Sequence, residues 1–341
     1  MNTRRLIALA AAVTAVSALA ACSGSTPAAG NAPAGYDAAL TAIVNPSGHR
    51  GGTIIFDDSG TPDSTDPGNT YIGYMWNFVR LYGRTLVTYR SAPGAAGLQL
   101  VPDLATSLGQ VSDHGLTWTY HLKPGIKFED GSTVTSQDVK YAVERSYAKN
   151  VLPNGPSYFQ TLLQDPAYPG PYKDRTPGRL GLTSVDTPDP ATIVFHLRQP
   201  FADFDYVAAL PQTVPVPRAR DTGANYQLHP VSTGPYMFHD YQLGRQLTLV
   251  RNPYWNPATD PNRRQLAATV VFTMAVNADT IDDNLIHNFA QVDITGGGAQ
   301  PATQAQILQN PALKKDADDV PTEGANFTYI NTKVKPLDNV H

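Results

Sequence analysis

One cysteine stands in the whole chain, Cys22. A single thiol cannot form an internal disulfide, and it excludes a cysteine-built metal site. Charge is also sparse, at 16% of residues, and its balance is slightly acidic, −4 overall. Without the two arginines near the start, Arg4 and Arg5, the remaining chain carries −6. A body of that sign lacks the electrostatic footprint of a nucleic-acid-binding protein, so no nucleic acid is expected as partner. Catalytic signatures are missing as well. The eight histidines form no His-Glu-x-x-His motif and no pair at helical spacing, and there is no Gly-x-Ser-x-Gly elbow and no Walker loop. Gly296-Gly297-Gly298 lacks the following Lys-Ser/Thr of a phosphate cradle. Asp57, Asp58, Asp63 and Asp66 lack the spacing and closing Glu of an EF-hand, and are read as a solvated loop. No metal, cofactor or catalytic residue is expected, although distant carboxylate pairs escape this kind of reading.

What is present begins with the N-terminus. A basic head ending at Arg5 is followed by 16 apolar or small residues, Leu6 to Ala21. A membrane-spanning helix needs about 20 residues, so the run reads as a secretory signal. It ends in Leu19-Ala20-Ala21-Cys22, the lipobox pattern of bacterial lipoproteins. The expectation is cleavage after residue 21 and lipidation of Cys22, with a flexible tether over residues 22–49, rich in Ser, Gly, Ala and Pro. The protein is then extracytoplasmic and anchored to the cell membrane through Cys22.

The body is punctuated by 29 prolines and 27 glycines. Thr53–Phe56 reads as a first strand, followed by a polar loop to Gly68 and a helix between Thr70 and Tyr82 bearing Ile72, Met75, Trp76 and Val79. Leu86–Tyr89 and Leu98–Val101 read as a hairpin. Leu116, Trp118, Tyr120 and Leu122 alternate with polar residues, the period of a half-buried strand, which Ile126–Phe128 is expected to resume after a turn. Thr135 with Asp138 three residues on forms a capping-box pair for a helix lined by Val139, Ala142, Val143 and Tyr147. Leu182–Val185 and Thr192–Leu197 are expected to pair across the loop from Asp186 to Pro190, and Phe201–Leu210 to be helical. Tyr236–His239 and Leu247–Arg251 flank a turn at Leu243-Gly244, and Thr269–Met274 is a continuous apolar strand. Asn277 caps a helix bearing Ile281, Leu285, Ile286 and Phe289, and Val292–Ile294 is a short strand. Alternating strands and helices give an α/β class (α+β, with mixed sheets).

Several of these segments carry recognisable wording. Gly51-Gly52-Thr53 opens the body, and Val101-Pro102-Asp103-Leu104-Ala105 follows. Then come the strand Asp113–Leu122, Lys123–Ser132 with Phe128 and Asp130-Gly131, and Thr135–Val139. Ser232-Thr233-Gly234-Pro235-Tyr236, Arg251-Asn252-Pro253-Tyr254-Trp255, Gln291–Ile294 and Ile330–Val340 complete the series. In this order they resemble the family of dipeptide-, oligopeptide- and nickel-binding proteins of ABC importers, extracellular solute-binding proteins of family 5, over the N-terminal part. Most of these residues read as core or turn: Gly131 and Gly234 as positions needing positive φ, and Trp118, Phe128 and Trp255 as buried.

The resemblance implies a type II periplasmic-binding-protein-like fold with two lobes. Residues 50–83 with 231–325 would form one lobe, 84–230 an inserted second, and 326–341 the start of a third region. The chain ends within that last element, so the expected fold lacks the family's C-terminal region, and ligand binding by this chain alone is expected to be weak. The implied role is a non-catalytic, lipid-anchored component that captures peptides or similar small solutes for a permease and its ATPases. The competing expectation is a transport-incompetent exported lipoprotein with an interaction or signalling role. Expected ligand contacts are Asp57, Asp58, Ser59 and Ser64 after the first strand and Gly296, Gly297 and Gly298 after the last, since open sheets bind ligands beyond strand ends. Tyr158 joins them because oligopeptide-binding relatives place an aromatic in the cleft there; ordinary packing is its competing reading.

Overall fold

The computed structural model describes residues 46–176 and 180–317, together with 43, 333 and 335. The signal segment 1–21, Cys22, nearly all of the tether and most of the 326–341 element lie outside the described residues. No helix among the described residues is long and apolar enough to cross a membrane.

Two hydrophobic cores organise the rest. The first surrounds a five-stranded sheet whose strands, in spatial order, are β11 (Val292–Asp293), β1 (Thr53–Asp57), β10 (Thr269–Thr273), β9 (Gln246–Arg251) and β8 (Tyr236–Gln242). β1 runs parallel to both β10 and β11, with Phe56 opposite Phe272 and Val292, and β9 and β8 extend the sheet antiparallel. Helix α1 (Gly73–Val79) covers one face. Its Met75, Phe78 and Val79, with Tyr82 beyond it, pack on Phe238, Leu247, Leu249 and Phe272. The Phe78 and Phe272 rings lie 4.7 Å apart, and Tyr82 meets Phe238 edge-on at 5.0 Å. Such aromatic pairs add about 0.5–1.5 kcal/mol each beyond the area they bury.

The second core lies between a four-stranded sheet and helix α2 (Ser136–Arg145). The sheet order is β4 (Gln110–Ser112), β5 (Thr117–His121), β7 (Thr192–His196) and β6 (Val185–Asp189), all antiparallel. Trp118, Tyr120, Ile193 and Phe195 point inward by the alternation of the strands. They meet Phe159 of α3 (Tyr158–Leu162) and Phe204 of α4 (Phe204–Ala208). A small hairpin, β2 (Val87–Tyr89) with β3 (Leu100–Pro102), leaves this body toward the first. Beyond β10 the chain forms α5 (Ala278–Ile286), and after β11 α6 (Pro301–Gln309) and α7 (Pro311–Lys314).

Local signals act as expected at the helix starts. Asp138 Oδ2 accepts from both the backbone N–H and the hydroxyl of Thr135, at 2.8 and 2.7 Å, and Asn277 accepts from the Asp279 N–H. Several readings need correction. The strand β6 occupies Val185–Asp189, where a loop was expected, and the turn falls at Pro190-Ala191. Ile126–Phe128 is a turn region with only an isolated bridge from Lys127 to Thr133. Phe289 lies past the end of α5 and is 65% exposed. Trp255 is half-buried, its indole N–H donating to Asp260. Gly131 has φ +86°, as expected, but Gly234 does not have positive φ. It is there for close approach: a Cβ would lie 2.8 Å from the Leu81 carbonyl oxygen, where the returning chain bonds back to Leu81 and Tyr82.

Candidate functional site

The loop after β1 crosses from one core to the other, and its carboxylates are the reason. Asp57 accepts from the Asn284 amide at 2.8 Å, and Asp58 from the Gly60 N–H and the Tyr74 hydroxyl at 2.7 and 3.0 Å. Burial beside Asp58 pushes the Tyr74 phenol up. Asp63 binds Thr70 Oγ1 and the N–H groups of Ser64 and Tyr71. The Ser64 hydroxyl accepts from the Asp66 N–H at 3.0 Å. Asp57, Asp58, Ser64 and Asp66 are all at most 2% exposed. The acidic loop is therefore not solvated, contrary to the sequence reading: its side chains saturate one another and the local backbone.

Asp66 does more than cap its turn. Both its oxygens meet Arg145 at the end of α2, at 3.1 and 2.7 Å, and Arg145 also meets Asp221 at 3.2 Å. The guanidinium stacks 4.6 Å from the Tyr226 ring centroid, and Tyr141 and Tyr172 donate to Asp221. Burial alone would lower the Arg145 pKa, but Asp66 and then Asp221 hold it well above its usual value. A second buried cluster ties the cores together near α1. Arg84 and Arg263 share Asp103, at 2.8 and 2.6 Å, and Arg263 also meets Asp260 at 3.1 Å. Burial works to raise the Asp103 carboxyl, and the two arginines overcome it and hold it below the usual range. None of these basic residues was singled out in the sequence. Asp103 sits in the Val101–Ala105 wording, but its partners are distant in the chain.

The same crossing loop delivers an exposed aromatic pair. The Tyr71 and Tyr158 hydroxyls lie 2.8 Å apart, and the rings are 53% and 41% exposed. Tyr158 opens α3 and is placed by Asn154, whose N–H donates to Asn69 and whose amide donates to the Asp63 carbonyl. Gly155 permits this contact: a Cβ there would lie 2.2 Å from the Gly68 carbonyl oxygen. Tyr71 leans on Trp76 at 5.4 Å, and the indole is held by the Thr70 carbonyl. The bond to Tyr158, then burial, raise the Tyr71 pKa.

At the other side, the parallel pairing of β1 and β11 brings Asp57 and Asp293 level, and the Ile294 N–H donates to the Asp57 carbonyl. Gly296, Gly297 and Gly298 follow, all exposed, with positive φ at Gly296 and Gly298. The structure thus gathers the β1 loop and the glycine loop at one sheet edge, and the β1 loop and Tyr158 at the crossing. The side chains of Asp57, Asp58 and Ser64 face inward and are occupied. Ser59, Tyr158 and the three glycines remain open to solvent. Tyr71, which the sequence reading did not single out, joins them.

The mixed α/β architecture, with its several sheets, is that of type II periplasmic binding proteins. Residues 99–341 match the family model of bacterial extracellular solute-binding proteins, family 5 Middle, and the chain belongs to that family. It is 26% identical to the probable D,D-dipeptide-binding periplasmic protein of Escherichia coli (strain K12), over 83% of this chain and 50% of that one. It is 27% identical to di/tripeptide-binding protein 2 of Pseudomonas aeruginosa (strain UCBPP-PA14), over 84% and 52%. Among solved structures, clavulanic acid biosynthesis oligopeptide binding protein 2 superposes with a TM-score of 0.79 at 45% identity, covering 83% of this chain and 51% of that one. The murein tripeptide binding protein of E. coli shares the fold, with a TM-score of 0.62 at 19% identity, over 78% and 49%. The chain spans about half the length of these relatives.

Proposed function

We propose that this chain forms one wall of an extracytoplasmic peptide-binding protein, tethered to the membrane by lipid on Cys22, which hands its solute to an ABC permease and its ATPases. The observation that carries the reading is the exposed Tyr71–Tyr158 pair, beside a loop whose buried carboxylates Asp57, Asp58 and Asp66 are all occupied. Two phenol rings, tilted 59° to one another on supported backbone, offer apolar faces and hydroxyls for a peptide main chain at low entropy cost. Ser59 and the backbone of Gly296–Gly298 are the proposed further contacts. The names of the relatives, dipeptide-, di/tripeptide- and oligopeptide-binding proteins, support a peptide. We further propose the division into a lobe of residues 50–83 with 231–325 and an inserted lobe of 84–230, each built on one of the two sheets.

Calorimetry with a panel of di- to tetrapeptides tests the site. Tyr158→Ala is expected to weaken binding by about 0.5–1.5 kcal/mol or more per lost contact. Unchanged affinity would remove Tyr158, and with it this wall, from the site. Mass spectrometry of the exported protein tests the anchor: an unmodified, internal Cys22 rules it out.

A further inference from the structure

Opposite the core-facing side of α1 lies a cavity of about 140 Å³. Its walls are Trp76 of α1, Arg80 directly after that helix, Tyr89 of β2, and Tyr206 and Leu210 at and beyond α4. Tyr89 and Tyr206 are 39% and 49% exposed, with ring centroids 6.3 Å apart. A dry protein cavity of about 150 Å³ admits a benzene ring, so this volume suits one aromatic side chain. Trp76 also touches Tyr71, so the cavity continues the aromatic surface described above.

Two cations, Arg80 and Arg263, also line it, and they belong to a wider charged cluster. Four cations, Arg80, Arg84, Lys123 and Arg263, gather around two carboxylates, Asp103 and Asp260. Arg84 and Arg263 take both carboxylates within ion-pair distance. Among the described residues no carboxylate lies so close to Arg80; its guanidinium donates through Nη2 to the Tyr89 carbonyl and Ser91 Oγ, at 2.9 and 3.0 Å. Burial and the neighbouring Arg263 disfavour its charge. An anion at the cavity mouth would relieve both.

We propose that this cavity is a specificity pocket for an aromatic residue bearing a free carboxylate, the ring seated between Trp76, Tyr89 and Tyr206 and the carboxylate on Arg80. The chemical class is the C-terminal aromatic residue of a short peptide. The biological meaning rests on the solute-binding reading; the pocket chemistry does not.

The test uses the full chain and 3-phenylpropionate, with 3-phenylpropan-1-ol as the uncharged match. The readout is the Trp76 indole N–H resonance, assigned by its loss in Trp76→Phe, with the buried Trp118 indole as internal control. Saturable movement of Trp76 alone is expected at millimolar probe, with the alcohol bound at least about tenfold more weakly. Arg80→Gln should erase that preference and Arg80→Lys should keep part of it. Gly73→Leu should abolish binding: Gly73 lines the cavity, a Cβ there meets nothing within 4 Å, and its φ is ordinary. No Trp76 response up to about 10 mM, equal affinity for acid and alcohol, or binding unaffected by Gly73→Leu overturns the proposal. Because the probe lacks a peptide main chain, its failure leaves the Tyr71–Tyr158 wall standing. A Tyr158→Ala protein that loses peptides yet still binds 3-phenylpropionate separates the two readings in the other direction.

Discussion

The two cores differ in how completely they enclose themselves. The four-stranded body buries a cluster running from Leu86 to Val231, with three of its rings, Phe159, Phe195 and Phe204, fully inaccessible. The five-stranded body packs one sheet face against α1. On the other face Ile55, Val271, Val250 and Met237, neighbours across the strands, stay half-exposed. The four-stranded body is held chiefly by its large apolar cluster. The five-stranded body takes Val214 of the inserted stretch into its core, and ion pairs tie it to the other body: Asp66 with Arg145, and Arg84 and Arg263 with Asp103. The lesson is that the crossing loop and the junction cluster are structural joints, and that ligand contacts belong to the exposed rims beside them.

Arg145→Ala probes the joint most severely. It leaves Asp66 and Asp221 buried without their cation, and is expected to cost about 3–5 kcal/mol in urea denaturation. A change below about 1 kcal/mol would mean that packing alone joins the bodies. Phe195→Ala should cost about 3–5 kcal/mol. Phe272→Ala, in the less enclosed body, should fall at or below the low end of that range, because its surroundings can collapse more freely. The reverse order would overturn the contrast between the cores.

The pH dependence sharpens the comparison, because the enclosed body also buries Glu144. Burial pushes its carboxyl up from 4.5 to about 7, against the opposing pull of the Leu182 N–H, which donates to Oε1, and of Lys140. A pKa raised in the folded state means that the folded protein binds the proton more tightly. The folded state is therefore favoured at low pH, and stability declines as pH rises from about 4.5 through about 7. Glu144→Gln keeps the acceptor for Leu182 and should stabilise the protein at pH 8 by up to about 3 kcal/mol, with no gain at pH 4. Equal effects at both pH values would show that the carboxyl is neutral or solvated throughout. Thr135→Ala, which removes the cap of α2, should have the smallest effect, about 1 kcal/mol.

Much of the fold could be read from single residues and their spacing. Period-two alternation located β5, the Thr135/Asp138 pair located the start of α2, and Asn277 located that of α5, because these signals are completed within a few residues. The ordered motifs from Gly51 to Val340 identified the family for the same reason, each being a local turn or packing unit. The functional geometry was less accessible. Asp57, Asp58, Ser59, Ser64 and Gly296–Gly298 are placed beyond strand ends by pattern, and Tyr158 is marked by resemblance alone. Pattern does not say which side chains are already occupied. Asp58 looks like a free carboxylate until Tyr74 closes over it, and Tyr71 looks like one more loop residue until Tyr158 arrives from 87 positions away.

The sequence by itself determined the elements and the family, since propensity, capping and hydrophobic period act over a few neighbours. Only the tertiary structure decided which charges pair, as with Arg145 and Asp66, 79 residues apart, and which rings are left facing solvent. The physical reason is that burial, and therefore the demand for a partner, is a property of the packed whole: a carboxylate in water needs none, and a buried one must find a cation or hydrogen-bond donors.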